Sequence, residues 1–321
     1  MTRLKFNSRS KFKINFWNGV PFYLLAIMLI VVIVLQPNAL SYAGFTLLLS
    51  AAVPLAFAAT AQMFIMAAGD IDLGVGTFVG LVNVITAVVL LDHFFFAIVI
   101  YVLLIAIYSI LGLLVHNRQL PSIVVTLGAS FVWLGVAIMI LPSPAGEVPS
   151  YIVNFFNWEP PIIPGPVIFL ILIGLGSNFI IQRTRYGAVL RGSGSNPDAI
   201  ARAGWSVSTT KVILYGLAGI FAVLAGLALS ALTTSGDANN GASYVLLSIM
   251  AVIIGGGEFS GGLVAPAGAV AGAAVVVLIG TVLTFLDVSS DYQIGAQGLI
   301  LISVLAVRAV RKFVNERLKT K

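Results

Sequence analysis

Residues 94–115 read FFFAIVIYVLLIAIYSILGLLV, and this stretch decides the class of fold. It carries no charged side chain and is long enough to cross a bilayer core, which needs about 20 apolar residues. The rest of the chain has the same character, since 60% of its 321 residues are hydrophobic and only 9% are charged. A soluble domain has roughly a quarter charged residues, and so few charges cannot cover a water-exposed surface. The sequence therefore predicts an all-α, polytopic integral membrane protein.

The 17 lysines and arginines fall in four short stretches, 1–19, 116–121, 182–211 and 308–321. Basic loops beside membrane spans stay on the cytoplasmic side, so we expect all four stretches to be cytoplasmic. A nucleic-acid-binding protein would gather its basic groups on one folded face instead. The net charge of +6 therefore does not indicate nucleic acid as a partner. We expect the basic C-terminal tail to favour anionic membrane lipid.

Cytoplasmic stretches on both sides of an interval require an even number of membrane crossings within it. Four apolar segments precede 116–121, two lie between it and 182–211, and four follow. This arrangement predicts one transmembrane domain (1–321) of about ten spans with both termini cytoplasmic. The segments are 20–35, 43–67, 75–91, 94–115, 122–141, 165–181, 212–234, 244–257, 264–286 and 292–307. Short segments beside glycines, such as 244–257, suggest broken or tilted helices that line a cavity.

The stretch 182–211 reads QRTRYGAVLRGSGSNPDAIARAGWSVSTTK and contains a short polar helix with signals at both ends. Asn196 is a good N-cap and Pro197 suits the first helical position. Asp198 is favoured by the helix dipole, and Gly204 is a natural C-terminal stop. The helix is too short to be stable alone and too polar to span. It is either an ordinary surface helix or a contact for a cytoplasmic motor, and the residues alone leave both open.

Two carboxylates, Asp70 and Asp72, lie between apolar segments, where charges are costly and normally face a cavity or pair with other groups. The glycines around them allow tight backbone turns. The pair is either part of a capped turn or a gate or path-lining site, and it could also bind a cation in a secondary transporter. The spacing of Gly69-Asp70 and Gly74 recurs as Gly236-Asp237 and Gly241. The recurrence suggests inverted repeats, although chance also produces such a spacing.

Four stretches carry a family resemblance: GDIDLGVG at 69–76, PSIVVTLG at 121–128, TRYG with NPDA at 184–199, and GGGEFSGG at 255–262. In this order they resemble motifs of the bacterial ribose/xylose/arabinose/galactose-type ABC sugar permeases. Ile200 and Trp205 depart from the family pattern, and Tyr244 is not followed by the acidic residues common there.

The resemblance implies the permease subunit of an importer for a sugar or sugar-like solute in the bacterial inner membrane. Its implied partners are a cytoplasmic ABC ATPase, an extracytoplasmic solute-binding protein and a second permease copy, identical or not. The implied ATPase-coupling residues are Asn196, Pro197, Asp198, Ala199 and Gly204. The candidate residues of a translocation path or gate are Asp70, Asp72 and Tyr244.

Motifs for other chemistries are missing from the sequence. No glycine is followed by lysine, so the chain has no P-loop and we expect it not to be an enzyme. It has no cysteine and no zinc or nucleophile-elbow motif, and we expect no cofactor and no metal. An ion-coupled secondary transporter using Asp70 and Asp72 remains an alternative function. A membrane-embedded enzyme or assembly scaffold is a third, which the missing catalytic groups disfavour.

Overall fold

The computed structural model describes residues 19–259, 261–289, 292–293, 295–304 and 306, and within them it is helical with no β-strand. The helices before residue 160 are α1 (Val20–Leu35), α2 (Tyr42–Ser50), α3 (Ala52–Ala67), α4 (Val75–Val88), α5 (Phe94–Asn117), α6 (Ser122–Ile140) and α7 (Ser150–Phe156). Those after it are α8 (Gly165–Asn178), α9 (Arg185–Ser195), α10 (Pro197–Arg202), α11 (Val207–Thr233), α12 (Tyr244–Ile254), α13 (Pro266–Phe285) and α14 (Gly295–Val304). The predicted cytoplasmic ends 1–18 and 308–321 lie outside the described residues.

Each of the ten predicted apolar segments overlaps a helix, with α2 and α3 together covering 43–67. Within the described part of the chain, six helical segments are long and apolar enough to cross a membrane. Four apolar helices are shorter, namely α1, α4, α12 and α14. The structure is therefore that of a polytopic membrane protein, as the composition predicted.

The centre of the molecule is α3, all of whose residues are buried. It packs against α11, and the remaining helices are distributed around this pair. Helices α4 and α5 pack against α11, whereas α12 and α13 pack against α3. On the outside, the apolar window of α6 is only 22% buried, compared with 83% for the α2–α3 segment. The exposed apolar faces are the surface that lipid would cover.

The connecting loops collect at two ends of the helix bundle. At one end, here named the α9 end, the N–H of Gly262 donates to the carbonyl of Ala67, and the N–H of Ile71 donates to Ser122 Oγ. At the other, the α7 end, residues 145 and 236 pair through their backbones. There the proline-rich stretch 142–166 contains α7, which packs against α11.

The start of α11 differs from the predicted span 212–234. Ser206 caps the helix by accepting a hydrogen bond from the Thr209 N–H at 3.2 Å, and the helix begins at Val207. A serine N-cap satisfies one of the free N–H groups of the first turn. As a result Lys211 lies in the helix instead of the loop, and its side chain points into the protein towards Asp70.

Candidate functional site

The predicted short helix of the 182–211 stretch is α10, none of whose residues is fully buried, although Ala199 and Ile200 are half-buried. Asn196 caps it, its Oδ1 accepting a hydrogen bond from the Ala199 N–H at 3.0 Å. Gly204 follows the helix with φ +84°, a left-handed conformation that glycine adopts without strain. The ring of Trp205 contacts Tyr186 of α9 edge-on, with centroids 5.7 Å apart. The helix is thus a fixed projection on the surface of the α9 end.

Helix α9 joins α10 to the protein interior through backbone contacts between glycines. A β-carbon at Gly194 would lie 2.0 Å from the carbonyl oxygen of Ala67, at the end of α3. A β-carbon at Gly261 would lie 2.4 Å from the Gly194 oxygen, and one at Gly69 would lie 3.3 Å from the same atom. The last turn of α9 therefore rests directly on both the 69–74 loop and the 255–265 loop.

Asp70 of the 69–74 loop forms an ion pair with α11. The Nζ of Lys211 lies 2.7 Å from Asp70 Oδ2, and Tyr215 donates its hydroxyl to the same oxygen at 3.1 Å. The two charged side chains are only 14% and 10% exposed. A carboxylate in such a place needs a compensating charge. The pair therefore fixes the loop to the first turns of α11.

Asp72 lies deeper, 1% exposed, and its hydrogen bonds come from three elements. Tyr108 of α5 donates its hydroxyl to Oδ2, and the Gly74 N–H donates to Oδ1 at 2.6 Å. With its amide oriented to satisfy both groups, Gln62 of α3 bonds the backbone carbonyl and N–H of Asp72 at 3.1 and 3.2 Å. Both carboxylates thus bind groups of the protein itself.

The 69–74 loop runs along α6, which supplies partners for its backbone. The Ile71 N–H donates to Ser122 Oγ at 3.2 Å, and the Leu73 N–H donates to Thr126 Oγ1 at 3.0 Å. Non-helical backbone at membrane depth is stable only where protein or water satisfies its polar groups. These bonds meet that need, and α4 begins where the loop ends.

A second non-helical segment, 234–243, precedes α12 and lies along α4. Asn83, fully buried in α4, donates to the Ser235 carbonyl at 3.0 Å and accepts from the Asp237 N–H at 2.8 Å. Further along, a β-carbon at Gly241 would lie 2.1 Å from the carbonyl oxygen of Gly76. The segment therefore follows α4 from its C-terminal part to its first turn. Tyr244, buried, is the first residue of α12.

The family described as the branched-chain amino acid transport system / permease component matches residues 44–305. This chain belongs to that family.

Several similar proteins are named as sugar permeases. The ribose import permease protein RbsC of Bacillus subtilis is 29% identical over 295 residues, covering 90% of this chain and 92% of the relative. The D-allose transport system permease protein AlsC of Escherichia coli is 29% identical over 253 residues, 77% of each chain. The xylose transport system permease protein XylH of E. coli is 33% identical over 140 residues, 44% of this chain and 36% of the relative. No solved structure matches the chain.

For a permease of this family, the structure places the candidate residues at three positions. Asp70 and Asp72 lie in the loop that the last turn of α9 contacts, whereas Tyr244 is the first residue of α12. The residues from 196 to 204 form the exposed α10 and its caps.

Sequence reasoning missed the partners of the two aspartates. Lys211 and Tyr108 come from helices distant in the chain and Gln62 from the preceding helix α3, and only the isolated positive charge of Lys211 beside an apolar segment gave a signal. Asn83, an amide inside an apolar segment, was a comparable signal for the 234–243 contact. Within the described residues, no cluster of three or more His, Cys, Asp or Glu is placed to hold a metal ion.

Proposed function

We propose that this chain is the membrane-spanning permease subunit of an ABC importer in the bacterial inner membrane. It moves a sugar or sugar-like solute that an extracytoplasmic binding protein delivers, and a separate cytoplasmic ATPase drives it. The observation that carries the proposal is the similarity to named ribose and allose permeases over most of the chain. The family description names branched-chain amino acids, so the solute class rests on these relatives.

The proposed topology has ten spans, with both termini and the α9 end in the cytoplasm. Positive-inside orientation supports this placement, since the basic loop residues Arg118, Arg183 and Arg202 all belong to loops or short helices that gather there. The cross-packing of α4 with α11 and of α12 with α3 supports an inverted repeat. In both halves a non-helical segment precedes a short helix, and the two segments enter from opposite ends.

In this proposal α10 is the contact for the ATPase, through the residues from Asn196 to Ala199 and Gly204. ATP binding would move α9, whose Gly194 rests on the 69–74 and 255–265 loops. Asp70 and Asp72 hold the first of these loops as part of a gate at the cytoplasmic side. Tyr244, at the head of α12, lies beside the path. A second permease copy completes the path.

Reconstitution with the ATPase and the binding protein tests this function. In proteoliposomes, uptake of labelled D-ribose, D-allose or D-xylose should require ATP and stop when the P-loop lysine of the ATPase is replaced by alanine. Uptake that continues with the inactive ATPase and stops with an ionophore would instead establish an ion-coupled transporter. The Asp70–Lys211 pair favours the first outcome, because a carboxylate already neutralised by lysine is a poor cation ligand.

A further inference from the structure

The non-helical segment 234–243 has two different sides. One side faces α4, where Asn83 and the close approach of Gly241 to Gly76 hold it. On the other side the side chains of Asn239 and Ser243 are exposed, and Asn240 is half-buried. Within the described residues these three side chains form no hydrogen bond. The segment therefore presents free amide and hydroxyl groups away from the protein.

The depth of these groups follows from their contacts with α4. Gly236 approaches Ala87 and Gly241 approaches Gly76. The two contacts are eleven residues apart on α4, or about 16 Å at 1.5 Å per residue. The bilayer core is about 30 Å thick. In the proposed topology, with Gly236 near the extracytoplasmic surface, Gly241 therefore lies about halfway through the core.

Lipid tails offer no hydrogen-bond partner to such a polar surface. Turn-forming backbone and unpaired amides at this depth are tolerated only inside protein or against a water-filled cavity. Within the described chain none of the three side chains has a hydrogen-bond partner, so a water-filled path or a partner subunit would supply one. We propose that Asn239, Asn240 and Ser243 line the aqueous path and hydrogen-bond the solute directly. This assignment rests on the proposed function and adds the contact residues to it.

The chemistry of the segment selects a neutral solute rich in hydroxyl groups. Amides and hydroxyls both donate and accept hydrogen bonds, as sugar hydroxyls do. Asp237 is the only charged residue of 234–243, and its Oδ1 already accepts a hydrogen bond from the Asn239 N–H at 2.8 Å. The side chain of Leu246, 58% exposed in the first turn of α12, adds an apolar contact suited to the C–H face of a sugar ring.

The chain has no cysteine, so single-cysteine variants give a clean test. Asn239→Cys, Asn240→Cys and Ser243→Cys are made in the reconstituted transporter and treated with a charged, water-soluble methanethiosulfonate reagent. We expect rapid labelling at all three positions, slowed at least severalfold when the sugar-loaded binding protein and a non-hydrolysable ATP analogue are present. The matched control is Leu175→Cys, on the exposed apolar face of α8, which should resist the charged reagent.

Two outcomes would overturn the proposal. Absence of labelling under every nucleotide condition would mean that the segment does not face water. Ready disulfide formation between two copies, without protection by sugar, would place it in a dimer contact instead. As a second measurement, Asn239→Leu should lower sugar uptake per ATP hydrolysed about tenfold, the effect of losing one good hydrogen bond; an unchanged ratio would also contradict the proposal. ATP-independent uptake by the unmodified transporter would refute the proposed function, whatever the labelling shows.

Discussion

The ion pair between Asp70 and Lys211 gives the sharpest stability prediction. Lys211→Met removes the positive charge and leaves a carboxylate that is only 10% exposed. Tyr215 still donates a hydrogen bond to it, but a neutral hydroxyl does not replace a cation. Breaking a buried pair from one side costs about 3–5 kcal/mol. We therefore expect Lys211→Met to lower the free energy of unfolding by about 3 kcal/mol, allowing for partial exposure.

The assay is SDS-driven unfolding in mixed micelles, followed by the fluorescence of the four tryptophans. The double variant Asp70→Asn/Lys211→Met should recover most of the loss, because it leaves no unpaired charge. Arg202→Met, on the exposed α10, is the matched control and should change stability by less than about 0.5 kcal/mol. If Lys211→Met is no more destabilising than this control, or if the two single effects simply add, the pair does not anchor the loop.

Three further predictions concern the contact of α9 with α3, the cap of α10 and the 234–243 segment along α4. Gly194→Val should abolish uptake, since its β-carbon would meet a backbone oxygen of α3 at 2.0 Å, whereas Gly176→Val, in open space, should retain it in the same vesicle assay. Asn196→Ala should weaken the α10 cap by about 1 kcal/mol and reduce ATP-driven uptake, with Asn196→Ser close to the parent; equal losses for both would exclude a capping role. Asn83→Leu strands the Asp237 N–H, and should cost about 1–3 kcal/mol in mixed-micelle unfolding, whereas a neutral result would show that water replaces the amide.

The apolar segments and the caps of α10 could be predicted from sequence because both depend on local rules. A span must be apolar over its own length, and Asn196 caps the N–H groups of its own helix. Even the shortness of 244–257 was visible, and the structure ends α12 at Ile254. The start of α11 was predicted too late. The charge of Lys211 made hydropathy place the span after it, whereas the Ser206 cap starts the helix at Val207.

The organisation of the candidate site could not be predicted in the same way. Asp72 was recognised as costly, but its partner Tyr108 lies on α5 and nothing near either residue specifies the contact. Nothing in the sequence singled out Gly194, whereas the structure places it in close backbone contact with the end of α3. The unpaired amides at 239 and 240 carry no sequence pattern at all. Such features depend on which helices become neighbours in three dimensions.

The two interrupted helices also constrain how the chain is made. Helices α4 and α12 have only 14 and 11 residues, too few to enter a bilayer as independent spans. The segments before them obtain hydrogen-bond partners from α6 and α4. We therefore expect each short helix to enter the bilayer by docking onto its long neighbours. For these two parts of the protein, membrane insertion and tertiary packing are one event.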